Sequence, residues 1–113
     1  MPVITITRKL MKCYVFAYGT LLDPRIRRSV LGYTTALVPS GLKGFRRQSI
    51  TLSGVSYPVL VADPGNNGTI EGCYFEISET DLEKLDLYES SAYNRMEVNL
   101  ENGTRAWVYC LAE

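Results

Sequence analysis

Residues 78–90, SETDLEKLDLYES, place one carboxylate where a carboxylate is costly. Ser78 reads as a helix cap, and the acidic residues of the first turn complement the positive end of the helix dipole. With about 100° of rotation per residue, and Leu82 set at about 0°, Leu85 falls near about 300° and Glu89 near about 340°. Glu89 thus lies between two leucines on the stripe expected to face the core, while Glu83, Lys84 and Leu87 point elsewhere. Desolvation and the negative end of the helix both disfavour its charge and push its pKa up. A carboxyl so tuned can take a proton and return it near neutral pH. The alternative is a helix that frays at Tyr88 and leaves Glu89 in water. Periodicity alone leaves both open.

A second stretch raises a different question. In YVFAYGTLLDPRIRRSVLGY, residues 14–33, a strand-forming run breaks at Tyr18-Gly19-Thr20-Leu21. Asp23-Pro24 follows as a helix cap with proline at the first helical position, and Gly32 is the stop signal. The last backbone groups of the strand are thereby left out of the ladder. Locally this is also what an ordinary strand-to-helix turn looks like. Arg25, Arg27 and Arg28 read as a solvated helix face. Tyr88, Tyr93 and Tyr109 are candidate pocket residues, with core or rim packing as their ordinary use, and Trp107 is read in the same way. Arg95 is expected to point outward, opposite Met96, Val98 and Leu100.

Composition narrows the chemistry. The chain has 113 residues, enough for one compact domain. Twelve basic and 12 acidic residues cancel, which argues against a nucleic-acid partner. There is no histidine, so serine-histidine and cysteine-histidine catalysis and histidine-ligated metals are excluded. Cys13, Cys73 and Cys110 fit neither a disulfide framework nor a zinc site and are expected as reduced thiols in strands of a cytoplasmic protein. No run approaches the roughly 20 apolar residues of a membrane helix, and no signal peptide is recognisable at the start. Asn67-Gly68-Thr69 and Asn102-Gly103-Thr104 read as turns rather than glycosylation sites.

Six or seven strands and two short helices are expected. Strands fall at residues 13–18 and 33–38, at SITL and YPVLVAD, at TIEGCYFEIS and in the two closing runs; PSGLKGFRR reads as irregular. Asn102-Gly103 is the strongest hairpin signal, with positive φ expected at both residues. Strands outnumber helices without alternating regularly, so the class is α+β, a small, mainly antiparallel β-barrel with two flanking helices. Residues 1–12 form an N-terminal arm or edge strand, or follow a misplaced start, and 13–113 form the domain.

Four segments carry a family resemblance. YGTL at residues 18–21, YPVLVADPGNNGTIEGCYFEI at 57–77, LDLYES at 85–90 and AYNRMEV at 92–98 together resemble the gamma-glutamyl cyclotransferase-like family, which includes gamma-glutamylamine cyclotransferases and plant avirulence-induced relatives. The likeness runs from about residue 13 to 111. It implies a small mixed barrel and a cofactor-free reaction. In that reaction the α-amine of a γ-glutamyl compound attacks its own γ-carbonyl, releasing 5-oxoproline and an amine or amino acid. It also implies that Tyr18, Gly19, Thr20 and Leu21 bind the glutamyl group and that Glu89 is the acid/base. On this reading the interrupted strand offers free N–H groups to the substrate carboxylate, and Gly19 lets the backbone come close. No metal, nucleic acid or membrane partner is expected. Ser90 departs from the glycine common after the glutamate, and the chain ends soon after Tyr109, where relatives often continue; both bear on the shape of the pocket. A carboxylate-binding module without turnover is the rival reading, and a purely structural protein a third.

Overall fold

The computed structural model describes residues 12–89 and 92–111. The expectations for residues 1–11 and for Ser90 lie outside that range. Seven strands and two helices follow one another: β1 (Lys12–Ala17), a 3-10 turn (Thr20–Leu22), α1 (Pro24–Leu31), β2 (Val38–Leu42), β3 (Phe45–Leu52), β4 (Val55–Ala62), β5 (Ile70–Ser78), α2 (Glu79–Tyr88), β6 (Tyr93–Asn99) and β7 (Arg105–Leu111). The caps fall where the sequence places them. The Asp23 side chain accepts from the Arg25 amide, Pro24 opens α1, and Gly32 closes it at φ 88°. Ser78 accepts from the Asp81 amide at the start of α2.

The expected barrel does not form. Among the described residues five strands make an open sheet in the order β2-β5-β1-β7-β6, and β3 and β4 pair only with each other. Among the described residues β2 and β6 are the sheet's edge strands, and the Gly41 carbonyl of β2 accepts from the Glu101 amide at 2.9 Å. The β3–β4 hairpin lies against the sheet through side chains rather than continuing its ladder, which is why the sheet does not close. Three layers result, with the helices on one face of the sheet and the hairpin on the other.

The central strands are buried on both faces, and the period-2 alternation of a strand explains how they serve two cores. Val15 and Ala17 of β1 pack with Leu21, Leu31, Phe75, Leu82, Leu85 and Tyr109 on the helical side. Phe16, between them, packs with Phe45, Leu60, Val108 and Cys110 on the hairpin side. The N-terminal half of β5 comes very close to β1. A Cβ at Gly72 would sit 2.3 Å from the Ala17 carbonyl oxygen, so only glycine permits the Ala17–Cys73 register.

Three local expectations are corrected. Residues 34–37 carry no regular structure, and the strand runs over Val38–Leu42 instead, starting at the last residue of the expected strand and continuing into the stretch read as irregular. As the sheet's edge, β2 tolerates Pro39, which lacks an amide donor. Phe45-Arg46-Arg47, also read as irregular, belongs to β3. In the Asn102-Gly103 hairpin only Gly103 has positive φ, at 88°. Leu100 and Thr104 close that loop as a longer turn. The two-residue turn with both φ positive is Ser53-Gly54, at 51° and 80°.

Arg27 is the fourth correction. It is 4% exposed rather than solvated. One terminal nitrogen, Nη1, donates to the carbonyls of Leu21 at 2.8 Å and Leu22 at 2.9 Å, and the guanidinium lies 5.8 Å from the centre of the Phe75 ring. No carboxylate pairs with it among the described residues. It caps the trailing end of the 3-10 turn from inside.

Two substitutions test these supports by urea denaturation. Gly72→Ala is expected to cost about 3 kcal/mol, the upper end of an overpacking penalty, because backbone stands in the way. Arg27→Met leaves two turn carbonyls without their donor and is expected to cost about 1–2 kcal/mol, since relief from burying an unpaired cation offsets part of the loss. An unchanged midpoint in either variant would contradict the corresponding support.

Candidate active site

Strand β1 delivers the first half of the site. After Ala17 the chain leaves the sheet, and the Tyr18 ring packs against the core on the hairpin side. Its hydroxyl donates to the Tyr109 carbonyl at 2.5 Å. Burial, followed by the nearby Tyr93 and Glu89, raises its pKa far above the ordinary tyrosine value, so it stays a neutral donor. Arg47 of β3 donates to the Tyr18 and Glu71 carbonyls at 3.4 and 3.2 Å, tying the hairpin to this exit. At Gly19 a Cβ would stand 3.0 Å from the Pro58 ring, so glycine lets β4 close over the turn.

The 3-10 turn is closed by its own backbone. Leu22 donates to Gly19 and Asp23 to Thr20, each at 3.0 Å. The Thr20 and Leu21 amides make no backbone hydrogen bond among the described residues. With the trailing carbonyls held by Arg27, the turn keeps its leading amides uncommitted, as a ligand carboxylate would require.

Helix α2 delivers the other half. Leu82 and Leu85 are buried and Leu87 is 88% exposed, as the rotation argument requires. The helix does not fray early. Glu89 is its C-cap, with its amide donating to Leu85 at 2.8 Å. The side chain is half-buried, and burial alone pushes the carboxyl up to about 7. No hydrogen bond or ion pair involves that carboxyl among the described residues.

Seven of the nine residues singled out as binding, catalytic or pocket candidates meet at one cavity, with Trp107 outside it. Tyr18, Gly19, Thr20, Leu21, Glu89, Tyr93 and Tyr109 line a space of about 380 Å³, counted with its mouth. Tyr88 stands outside it, 41% exposed on the rim, with its hydroxyl 3.4 Å from Thr20 Oγ1. Tyr57 and Pro58 of β4 also line the cavity, and the sequence reading passed over them. They lie in a segment read as a strand, but which face they present depends on where the hairpin folds back.

A polar relay fixes the wall. The Tyr109 hydroxyl donates to Asp86 at 2.7 Å. Arg95 grips both oxygens of the same carboxylate at 3.0 Å and lies 4.3 Å from the centre of the Trp107 ring. Arg95 is therefore a structural fork rather than a free surface cation, while Met96 is 43% exposed. Tyr93 donates to the Pro58 carbonyl at 3.0 Å and so joins β6 to the hairpin. Among the described residues no three histidine, cysteine or carboxylate groups converge as metal ligands would, and no helix there is long and apolar enough to cross a membrane. The arrangement suits moving a proton on a small ligand held by backbone amides.

Comparison with known proteins agrees with this architecture. The family model for gamma-glutamyl cyclotransferase, AIG2-like, matches residues 15–113. Protein AIG2 C of Arabidopsis thaliana is 31% identical over 87 residues, covering 76% of this chain and 50% of that protein. AIG2-like protein A of the same plant is 33% identical with the same coverage. The chain thus spans about half the length of the curated relatives it matches. An Arabidopsis thaliana protein solved in solution superposes with a TM-score of 0.75 at 26% identity, over 92% of this chain and 71% of that one. A solved gamma-glutamyl cyclotransferase shares the fold, with a TM-score of 0.74 at 19% identity over 91% of this chain and 68% of the other. On a match that begins within β1 and runs to the last residue, the chain belongs to the gamma-glutamyl cyclotransferase, AIG2-like family.

Proposed function

We propose that the protein cyclises γ-glutamyl compounds, releasing 5-oxoproline and an amine. The observation that carries this reading is a half-buried carboxyl with a pKa of about 7, lining the same small cavity as a turn with uncommitted amides. The glutamyl carboxylate would bind the Thr20 and Leu21 amides, placing the α-amine and γ-carbonyl beside Glu89. The amine nitrogen attacks the γ-carbon, so one N–C bond forms and the bond to the leaving nitrogen breaks. The attacking nitrogen gives up two protons as the ammonium becomes the lactam N–H; Glu89 takes them in turn and passes them to the departing nitrogen, which leaves as an ammonium. No water, metal or redox partner enters the balance. Both reacting groups belong to one molecule, which makes attack effectively unimolecular, with effective molarities on the order of 10⁵ M or more. The Glu89 proton shuttle then contributes roughly 10²- to 10⁴-fold.

Glu89→Gln keeps the shape and removes the base. It is expected to lower kcat by roughly 10²- to 10⁴-fold. Wild-type kcat/KM should show an acidic limb near pH 7, where Glu89 gains its proton, and not near its ordinary value of 4.5. Stability moves the other way. In the unfolded chain Glu89 ionises near 4.5, so the folded protein loses stability as pH rises from there to about 7 and levels off above it. Glu89→Gln escapes that loss and should melt at or above the wild-type temperature at pH 8. Full activity in the variant would overturn the assignment. Binding of 5-oxoproline with no release from any γ-glutamyl compound would mark a carboxylate-binding module instead.

A further inference from the structure

The identity of the amine can be read from the ground around Glu89; this step rests on the cyclotransferase reading. The leaving nitrogen must come within hydrogen-bond reach of the Glu89 carboxyl to collect its proton. Its substituent therefore starts at Glu89 and runs away from the glutamyl cavity. Two depressions adjoin Glu89. One, about 1110 Å³ with its open side, is bounded by Asp86, Arg95 and Trp107. Apart from Glu89, its charged groups among the described residues are already committed, Arg95 to Asp86 through two bonds and Asp86 also to Tyr109. The other, about 680 Å³ with its open side, continues the cavity through Thr20, Tyr57, Glu89 and Tyr93, and adds Leu52 and Tyr88.

We propose that Tyr57, Tyr88 and Tyr93 form the leaving-group subsite and select amines bearing an uncharged aromatic ring. The three rings come from β4, the end of α2 and the start of β6. Two of the hydroxyls are turned to protein, Tyr93 to Pro58 at 3.0 Å and Tyr88 towards Thr20 at 3.4 Å. Such anchoring leaves ring surface for a ligand, and Tyr88 and Leu52 are 41% and 37% exposed. Aromatic partners gain from offset or edge-on contact beyond the area they bury. Among the described residues, Glu89 is the only charged side chain lining this depression. An amino acid leaving group would bring its carboxylate within two bonds of the departing nitrogen, beside that glutamate and with no cation among the described lining residues to offset it. An uncharged aromatic amine meets no such repulsion.

The test measures 5-oxoproline release from γ-glutamyl-benzylamide, γ-glutamyl-methylamide and γ-glutamyl-alanine. Wild-type kcat/KM is expected to be at least about 10-fold higher for the benzylamide than for the methylamide, and lowest for the alanine compound. Tyr88→Ala should erase most of the benzyl-to-methyl ratio, and Tyr88→Phe should keep it, with thermal melting confirming that both variants fold. Equal rates for benzyl and methyl compounds, a preference for the alanine compound, or an unchanged ratio in Tyr88→Ala would overturn the subsite. No release from any of the three by wild-type protein would overturn the cyclotransferase reading itself, and the subsite with it.

Discussion

Holding a half-buried carboxyl at the end of a helix, with no cation paired to it among the described residues, is the constraint around which this site is built. An ionised carboxylate loses solvation when buried, and the group answers by holding its proton. The fold imposes that condition on Glu89 from several sides. Leu82 and Leu85 anchor α2 to the sheet and fix the rotation of its last turn. Tyr93 and Pro58, bonded across two layers, close the hairpin over the carboxyl. An arginine in that cavity would have returned the pKa to the ordinary range. Arg95, which lines a depression beside Glu89, is held on Asp86 instead.

The opposite half of the site solves a complementary problem. A turn that offers amides to an anion must have its carbonyl end satisfied elsewhere. Arg27 does this from the core, donating from one nitrogen to two successive carbonyls and lying over an aromatic ring. A buried arginine without a carboxylate is uncommon because desolvation is severe. Here carbonyl dipoles take the place of the counterion. The close approach of Gly72 to Ala17 matters for the same reason, because it sets where β1 ends and the turn begins.

Much of this was legible in the sequence wherever the governing rule is local. Helix caps at Asp23 and Ser78, the stop at Gly32 and the core-facing position of Glu89 follow from side-chain chemistry and a 3.6-residue period. The same period would have found Arg27, which lies four residues before the buried Leu31 and so on its face. Read only as part of a basic cluster, it looks like a solvated residue. Closure of the sheet was not legible, because it depends on whether two distant edges exchange hydrogen bonds. Strand β2 was missed for a related reason: Pro39, Ser40 and Gly41 have poor strand propensity, and edge pairing with β5 overrides it. Tyr57 and Pro58 reach the site only because the hairpin folds back, which no local pattern encodes.

The pKa of Glu89 in the ligand-free protein tests the central claim most directly. Carbon-13 labelling of glutamate side chains and NMR titration would follow its carboxyl, with Glu89→Gln assigning the resonance. The account predicts a midpoint near pH 7. A midpoint in the range of an exposed glutamate, near the ordinary 4.5, would mean that the carboxyl is solvated and that the fold does not prepare it for proton transfer.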